Sequence, residues 1–548
     1  MTHKWCLLAS FVLLGLLSVA GASTQPSFEV HRLLQYGQDG QIYGSQKAAV
    51  SMPAATLESV NSISGHMVVI KVDSIDLTKL KEVVNQRKPG SILFLVPEAD
   101  MSAAQISSWK AVEEWLVSQN ELKMAVWFAV ESEGVEEFYR NLLSETTSSG
   151  VTSTDQTTLV VESKEPSAMK KYDLANIQGL LTGLSTSQAS TSSDGEADVT
   201  KIPTVAITAQ WDAFSAVPGL AHGANSDASG VVALFHVVRA ISKLYTHSRT
   251  QARCNVVFLF TSGSHLNYAG TRHWIDASAT GSAIRDSLDW VLSIDGIGRA
   301  GELFLHASRP AKDPNAARLY DTFTQVAQRM GIPFSVVQKK INIAESTIGW
   351  EHEVFARRKI LAATLSQNAN PTELPGIFDQ KQAIKLDILE RNILFLTEVV
   401  TRLIYNQDKN APSIVTSLNS TLTAGWLNTM THTPRMVPFL DSKHPVVDYV
   451  ESTLKQYAGD VSRQTFKPDF ERTFYDVTSA KITSYRTQSF TFDLILLLIV
   501  LGLNAVVYTA LKGVGPALSD FGSLIIWIKN RFVSSSSSST TDKKSKRD

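Results

Sequence analysis

Short apolar runs rich in β-branched and aromatic residues recur between residues 67 and 366, and helix-like stretches separate them. The runs lie at 67–72, 91–96, 124–130, 205–207, 255–260, 290–294, 303–305, 334–337 and 362–366. Runs of this kind suit strands that are buried on both faces of a sheet. Because such runs alternate with helical stretches, we expect an α/β fold, with a mixed sheet flanked by helices.

Composition divides the rest of the chain. An N-terminal α/β region is expected at 23–200, and its Ser- and Thr-rich end, 145–200, is expected to be a loop. The alternation is strongest at 201–407, which a helix over 384–405 closes. Residues 408–490 are expected to be a helical membrane-proximal region, with helices over 444–457 and 467–485 that expose Phe470, Phe474 and Tyr475.

Polar residues follow the ends of several apolar runs. They are Gln210-Trp-Asp212, Ser264-His265, Asp295 and Gln367, and the turn Gly223-Ala-Asn-Ser-Asp227-Ala-Ser-Gly230 lies between the first two. Open α/β sheets place ligand sites at the carboxyl ends of their strands. We therefore expect these side chains to meet at one edge of the sheet, with Asp212 and Asp295 accepting hydrogen bonds from loop amides or helix N-termini.

The order and spacing of these residues resemble the M28 family of zinc aminopeptidases, so the resemblance implies an M28 aminopeptidase-like domain at 201–407. By that resemblance, Asp227 stands where an aspartate bridges two zinc ions, and Asp295 where a later aspartate binds one of them. The chain departs from the family elsewhere. Gln210 stands for a zinc-binding histidine, Ser264 for the general base, His265 for a glutamate ligand, and Gln367 for a late histidine.

These departures bear directly on the chemistry. Zinc prefers imidazole, thiolate and carboxylate ligands, and a neutral amide is a poor donor. Hydrolysis by zinc-bound water needs a proton acceptor, which a serine at position 264 cannot supply. We expect no catalytic residue, no bound metal and no cofactor. Two alternatives stay open: a single weak metal ion held through His265, and a serine triad of Ser264, His265 and Asp295, which lacks the usual G-x-S-x-G turn.

The two ends of the chain predict a type I membrane protein. Residues 1–22 have the basic start, apolar run and small-residue cleavage pattern of a secretory signal. Residues 491–511 are apolar over a length that can cross a bilayer. The excess of Lys and Arg in the tail, 512–548, predicts a cytosolic C-terminus. Within that tail, Lys544 and Lys546 match a dilysine retrieval signal of the endoplasmic reticulum, and 524–528 is expected to lie in the membrane interface or to re-enter the bilayer.

The amino-acid sequence bears on nucleic-acid binding, on disulfide formation and on glycosylation. The formal net charge of −1 leaves no electrostatic footprint for nucleic acid. Cys254 is alone once the signal leaves with Cys6, so no intramolecular disulfide is expected. Asn419-Ser-Thr421 is an N-glycosylation sequon on the lumenal side of the predicted span.

Over nearly its whole length the chain resembles the nicalin-like branch of the nicastrin-like family. The resemblance rests on Val30-His-Arg-Leu-Leu-Gln-Tyr36, the Gly223–Gly230 turn, Tyr268-Ala-Gly-Thr271 and Trp350-Glu-His-Glu-Val-Phe355. It implies a non-catalytic scaffold of the endoplasmic reticulum membrane. The implied partners are the nodal modulator protein and a small polytopic membrane protein, with an indirect link to the ribosome-bound translocon that inserts multi-pass proteins. A residual zinc aminopeptidase and a nicastrin-like receptor for peptide ends remain the alternatives.

Overall fold

The structure is a computed structural model of the chain. It describes residues 26–57, 63–98, 101–120, 122–148, 157–169, 171–184, 202–276, 284, 286–371, 374–440, 444–468, 472–486, 490–513, 515, 516, 519 and 523. The predicted signal at 1–22, the polar stretch at 185–198, the segment at 524–528, and Lys544 and Lys546 lie outside these residues. The chain forms two compact units, one of residues 27–139 and 159–482, the other of residues 1–26, 140–158 and 483–548.

The strands are short and, in the interior of the larger unit, strongly apolar. In chain order they are β1 (Ser27–Arg32), β2 (Gln35–Gln38), β3 (Gln41–Gly44), β4 (Val50–Thr56), β5 (Met67–Lys71), β6 (Ser91–Val96), β7 (Ala125–Val130), β8 (Thr157–Glu162), β9 (Leu174–Leu181), β10 (Thr204–Gln210), β11 (Asn255–Thr261), β12 (Leu288–Ile294), β13 (Leu303–Ala307), β14 (Phe334–Gln338), β15 (Leu361–Ser366), β16 (Asp460–Phe466), β17 (Thr473–Phe474) and β18 (Ser479–Arg486).

Helices separate most of these strands. They are α1 (Leu77–Glu82), α2 (Ala103–Ser118), α3 (Glu133–Ser148), α4 (Ser229–Tyr245), α5 (Ala269–Asp276), α6 (Pro314–Met330), α7 (Glu351–Ala356), α8 (Leu386–Tyr405), α9 (Ser420–Thr431), α10 (Pro445–Lys455) and α11 (Phe490–Lys512). Local sequence explains their ends, as α6 illustrates. The Asp313 carboxylate accepts hydrogen bonds from the amides of Asn315 and Ala316, and Gly331 ends the helix at φ +64°.

The central sheet is mixed, with the strand order β14-β13-β15-β12-β10-β11-β9-β16. Strands β15, β12, β10 and β11 are parallel neighbours, whereas β13 is antiparallel to β15 and β9 is antiparallel to β11. The buried helix α4 packs against this sheet and α8 packs against α4. The parallel strands therefore direct their carboxyl ends to one edge, which is the edge where the sequence placed a candidate site.

A second sheet is built from the N-terminal segment. In it β4, β5, β6 and β7 are parallel, and β1 is antiparallel to β7. A small antiparallel sheet has the order β17-β2-β3. The expected segments 23–200, 201–407 and 408–490 all contribute to the larger unit.

The predicted α/β fold with a mixed sheet is confirmed. Every apolar run named above coincides with a strand, and the helices expected at 384–405 and 444–457 are present within a few residues. These elements were the easiest to predict because each has a continuous apolar run or a helical apolar period.

Two expectations about secondary structure were wrong. The stretch 145–200 contains the strands β8 and β9, and β9 is central enough to pair with both β11 and β16. The helix expected over 467–485 is instead β17 and β18, and Phe474 is buried rather than exposed. In both places polar and apolar residues are mixed along the strands, so the sequence lacks the continuous apolar run that marks an interior strand. The segment 408–490 is thus helical only in part.

Two long apolar helices differ in burial. Among the described residues, the helix that is long and apolar enough to cross a membrane is Ala224–Tyr245, and 67% of its apolar window is buried, as in a core helix. The expected span at 491–511 coincides with the helix α11, in which Leu497–Lys512 is a shorter apolar stretch by the same measure. Its described leucine, isoleucine and valine side chains include Ile495, Leu498 and Val506, which are 57–65% exposed.

Candidate functional site

The carboxyl edge of the central sheet brings together the strand ends that the sequence singled out. Gln210, the last residue of β10, is in register with Thr261 at the end of β11. Asp295 follows β12, and its amide donates to the carbonyl oxygen of Leu365 in β15 at 3.0 Å. The predicted meeting of these strand ends is therefore observed, because parallel pairing in register ends all four strands at the same level.

The turn before α4 depends on Gly223 for two separate reasons. Gly223 has φ +52°, in the left-handed region that favours glycine. A Cβ atom there would lie 2.5 Å from Oδ2 of Asp227 and 2.6 Å from Cβ of Ala213. The glycine thus allows the chain to turn sharply while keeping the Asp227 carboxylate against the backbone.

Asp212 and Asp227 lie close together at this edge, with the guanidinium of Arg435 beside them. The Asp212 Oδ2 atom accepts a hydrogen bond from the amide of Gly263 at 2.9 Å, as expected for a loop amide, and its Oδ1 atom is buried without a hydrogen-bond partner. Arg435 is fully buried, and its Nη2 donates to the carbonyl oxygens of His222 (2.8 Å) and Gly223 (3.2 Å). A positive charge is therefore built into the fold next to both aspartates.

Burial dominates the protonation of this cluster. It raises the pKa of Asp212 to about 7, although the Gly263 amide and Arg435 oppose the rise. Burial, and next the nearby Asp212, raise the pKa of Asp227 well above its ordinary value, while hydrogen bonding from Ser226 and the charge of Arg435 oppose this. Burial therefore favours the protonated form of the two carboxyl groups, whereas the positive charge of Arg435 favours their ionised form.

A third aspartate, Asp379, holds the turn from the other side. Its Oδ1 and Oδ2 atoms accept hydrogen bonds from the amides of Asn225 and Ser226, both at 2.9 Å, and Arg299 Nη2 lies 2.9 Å from Oδ1. The loop that carries Asp379 is itself fixed by Glu113 of α2, whose carboxylate accepts from the amide of Ile377 at 3.2 Å. The amides that open the turn are therefore already occupied by a side chain of the protein.

Glu351, the first residue of α7, occupies the space beneath the strand ends. Its carboxylate accepts hydrogen bonds from the hydroxyl groups of Thr208 (2.8 Å), Thr271 (2.5 Å) and Thr261 (3.3 Å). Burial raises its pKa, and these hydroxyl groups counteract the rise. The neighbouring Asp295 accepts from the Ser366 hydroxyl at 2.7 Å, and burial raises its pKa to about 6.

Little open space remains between these groups. A cavity of about 20 Å³ is lined by Gln210, Tyr268, Asp295, Trp350 and Glu351, among others. Such a volume holds about one water molecule, whereas pockets for organic ligands measure roughly 300–1,000 Å³. This cavity is therefore too small for an organic ligand.

The remaining predicted site residues face different neighbours. The Ser264 hydroxyl is buried without a hydrogen-bond partner, and the ring of His265 stacks on Phe214 with centroids 5.0 Å apart. The Gln367 amide is engaged with the backbone of Arg299, whose N–H donates to its Oε1 at 2.7 Å. Asn419 is exposed at the N-cap of α9, where its Oδ1 accepts from the amide of Leu422 at 3.2 Å.

These arrangements do not fit a two-zinc centre. Arg435 places a fixed positive charge beside Asp212 and beside Asp227, which stands at the position of the bridging ligand. The Gln367 amide and the Glu351 carboxylate are already hydrogen-bonded within the fold. Within the described part of the chain, no group of three or more His, Cys, Asp or Glu side chains is arranged to hold a metal ion. Hydrolysis by zinc-bound water therefore has no basis in this donor set.

Three residues that complete the cluster were missed from the sequence. Glu351 lies in the Trp350–Phe355 block, which was noticed for its resemblance but given no role. Asp379 and Arg435 stand alone in irregular segments and carry no local motif. Sequence reasoning found the carboxyl groups that lie near the ends of apolar strands and Asp227 in its glycine-bounded turn.

The sequence of the chain is similar to one protein family and to several known proteins. Residues 203–360 match the protein family described as the nicastrin large lobe. The mouse protein named "BOS complex subunit NCLN" is 29% identical over 521 residues, which cover 90% of each chain. The protein named "Nicalin" from Caenorhabditis elegans is 28% identical over 431 residues, which cover 72% of each chain.

A solved structure gives a much looser match. The zinc aminopeptidase BSAP of Bacillus subtilis is 13% identical, covers 76% of this chain and 92% of its own, and aligns with a TM-score of 0.30. No conclusion about the fold rests on that alignment. The sequence similarity confirms the expected resemblance: the chain is similar to the nicastrin large lobe at 203–360, and to proteins named as nicalin or as a BOS complex subunit over most of its length.

Proposed function

We propose that the chain is a non-catalytic subunit of a membrane complex of the endoplasmic reticulum, of the type named BOS. Its partners would be the nodal modulator protein and a small polytopic membrane protein, and the complex would work beside the translocon in the insertion of multi-pass proteins. The observation that carries the proposal is the buried Arg435 guanidinium beside Asp212 and Asp227, in a chain similar to a BOS complex subunit over 90% of its length.

Loss of catalysis follows from what occupies that edge. The position of the general base is held by Ser264, whose hydroxyl cannot accept a proton at neutral pH. The Arg435 guanidinium lies beside Asp212 and Asp227, so its positive charge disfavours a metal cation between them. A receptor for peptide ends would need an open cleft, and a cavity of about 20 Å³ does not provide one.

Membrane anchoring would be supplied by α11. The helix comprises 23 residues, which span roughly 35 Å at 1.5 Å per residue, enough for a hydrocarbon core of about 30 Å. Its described apolar side chains are exposed along the helix, as expected for a helix that contacts lipid. The larger unit would then be lumenal and the tail at 512–548 cytosolic.

Co-purification tests the role in a complex. Full-length protein with an affinity tag inserted into the C-terminal tail at 534–539, so that Lys544 and Lys546 keep their distance from a free C-terminus, should carry one large lumenal protein and one small polytopic protein in constant ratio when it is isolated from microsomes in mild detergent. Recovery of the chain as a lone monomer from several mild detergents would contradict the proposal.

Metal analysis and peptidase assays test the loss of catalysis. The purified chain should contain far less than one zinc per molecule and should not release amino acids from aminoacyl substrates. Stoichiometric zinc together with turnover that is lost in the Asp227→Ala variant, and retained in Asp313→Ala at the exposed cap of α6, would establish a residual aminopeptidase instead.

Glycosylation tests the orientation. If the larger unit is lumenal, Asn419 should carry a glycan, and Asn419→Gln should remove one glycosidase-sensitive mobility shift. The tag in the C-terminal tail should at the same time be digested by protease added outside intact microsomes. A glycan-free chain whose tag is protected would contradict the type I orientation.

A further inference from the structure

Ile343 lies at the tip of a loop between β14 and α7 and is unusually exposed. Its side chain is 75% exposed, the highest value among the large apolar side chains of the described residues. The flanking residues from 342 to 347 are also exposed, whereas Ile348 and Trp350 return to the interior. A side chain exposed to this degree buries little apolar area, so it contributes little to the stability of the fold.

Hydrogen bonds hold the tip of this loop in one conformation. The Asn342 Oδ1 atom accepts from the amide of Ala344 at 3.1 Å, and its Nδ2 donates to Oε1 of Glu345 at 3.1 Å. The Arg357 guanidinium of the α7 end donates to the carbonyl oxygen of Glu345 at 2.8 Å. Ile343 is therefore presented on a closed turn that is tied to a helix.

The base of the loop is fixed just as firmly. Asn267, which has φ +56°, donates from Nδ2 to the carbonyl oxygen of Ser346 at 3.0 Å and accepts at Oδ1 from the amide of Ile348 at 2.8 Å. The next residue, Tyr268, has φ +54° and donates to the carbonyl oxygen of Gly349 at 3.1 Å. Consecutive left-handed non-glycine residues are costly, so the surrounding contacts must hold this conformation.

Positive charge lies at the start of the same loop. Lys339 and Lys340 are both exposed, and neither has an acidic partner within ion-pair distance in the described parts of the chain. Arg357 adds a third cation beside the tip. We refer to Lys339, Lys340, Ile343 and Arg357 as the 339–347 surface.

We propose that the 339–347 surface docks a partner protein through an apolar pocket that receives Ile343 and is bordered by acidic side chains. An apolar anchor that is held in one conformation loses little conformational entropy when a partner buries it. The cations supply complementarity to carboxylates, which selects the partner and its orientation. The inference rests on the proposed function, since the partner would be a subunit of the same complex.

A lipid surface is the less suitable occupant. Peripheral membrane binding relies on an apolar helix face or on several inserted side chains together with basic residues. This loop offers one inserted isoleucine on a closed turn, and the neighbouring exposed residues, Asn342, Ala344 and Glu345, are polar or small. The geometry thus suits one pocket of a protein better than a bilayer.

Site-specific photocrosslinking tests the proposal in the full-length chain. A photoreactive amino acid replaces Ile343 in one version and Ile414, an exposed isoleucine of another segment, in a matched version. Both carry the affinity tag in the C-terminal tail, and crosslinking is carried out in intact microsomes. Position 343 should give one protein adduct, whose crosslinked peptide contains apolar residues next to Asp or Glu, and position 414 should not give that adduct.

Charge reversal supplies the decisive control. Lys339→Glu with Lys340→Glu should reduce the adduct about tenfold, the loss expected when a charged rim becomes repulsive. Lys79→Glu with Lys81→Glu, the same change on exposed α1, should leave it unchanged. Raising the salt concentration should weaken the adduct of the unchanged chain.

The outcomes separate the two proposals. If the complex co-purifies through the tag but position 343 gives no protein adduct, or gives adducts with lipid only, the docking surface is refuted and the proposed function stands. An adduct that withstands the Lys339/Lys340 reversal also refutes it. If the chain is a lone monomer, the proposed function and the docking surface fail together.

Discussion

Charged side chains are used in opposite ways at the carboxyl edge of the central sheet and at the 339–347 surface. At the edge, Asp212, Asp227 and Arg435 are buried together and interact with one another. At the surface, Lys339 and Lys340 extend into solvent without ion-pair partners among the described residues, beside an isoleucine that is 75% exposed. The contrast teaches that burial ties the charged groups of the edge to one another, whereas exposure leaves the lysines of the 339–347 surface in solvent.

The largest effect is expected from removing the buried guanidinium. Arg435→Met keeps most of the side-chain volume but leaves the carbonyl oxygens of His222 and Gly223 and the nearby aspartates without their cation. Breaking a buried charge interaction from one side costs about 3–5 kcal/mol. The midpoint of urea unfolding of the full-length chain in detergent should fall accordingly.

The matched variant for this test is Arg463→Met. Arg463 pairs with Asp448 and Glu451 in a partly exposed position, so its removal should cost less than about 1 kcal/mol. Equal losses in the two variants would show that the edge is no more dependent on its charges than the surface is.

Gly223→Ala should also destabilise the chain substantially. The new Cβ would clash with Asp227 and Ala213 at a positive φ, so about 2–5 kcal/mol is expected from backbone strain and overpacking together. At Gly331, which has φ +64° but open space around it, alanine should cost only about 1–2 kcal/mol. The difference between the unfolding free energies of the two variants measures the steric clash at Gly223, because both positions share the positive φ. Similar losses of stability would mean that the turn is not tightly packed.

The edge should make stability depend on pH in a defined direction. The folded-state pKa of Asp212, about 7, lies above its ordinary value of 3.8, so the folded chain binds this proton more tightly. Its contribution is complete below about pH 3.8 and is lost as the pH rises through about 7. Between pH 5 and 7, this carboxyl group should lower the free energy of unfolding by on the order of 1 kcal/mol per pH unit. Asp212→Asn should abolish that decline.

Unfolding midpoints of the unchanged chain and of Asp212→Asn at pH 5, 6 and 7 measure this difference. Both chains carry the same buried histidines, so the contribution of those histidines cancels in the comparison. Asp313→Asn is the control. Burial acts to raise the pKa of Asp313, but hydrogen bonds from the amides of Ala316 and Asn315 outweigh it and lower that pKa, so this group titrates below the window. An unchanged pH profile in Asp212→Asn would mean that the carboxyl group is ionised in the folded chain.

The smallest effect on stability is expected at the 339–347 surface. Ile343→Ser should change the free energy of unfolding by no more than about 0.5 kcal/mol, because the side chain has little to lose on exposure. The same substitution at Ile207, fully buried in β10, should cost roughly 2–5 kcal/mol. A large loss at Ile343 in the same urea unfolding assay would assign it to the core and remove it from the candidates for docking.

Sequence reasoning succeeded where one local pattern was enough. The strands β5, β6, β7 and β10–β15 each contain a continuous apolar run, and Asp295 and Gln210 were found because each stands at or directly after the end of one. It failed for β8, β9 and β18, whose residues mix polar and apolar character. It also missed Asp379 and Arg435, which have no neighbouring pattern and reach the site only through the fold.

The sequence by itself determined the α/β class, the positions of the strand ends and the replacement of a histidine and a base by Gln210 and Ser264. These follow from apolar periodicity and from residue chemistry, which are properties of short segments. Only the tertiary structure decided what now surrounds Asp227 and which surface stays open. Arg435 lies beside Asp227, and Asn267 fixes the loop of Ile343, because folding brings residues from distant segments into hydrogen-bonding and electrostatic range.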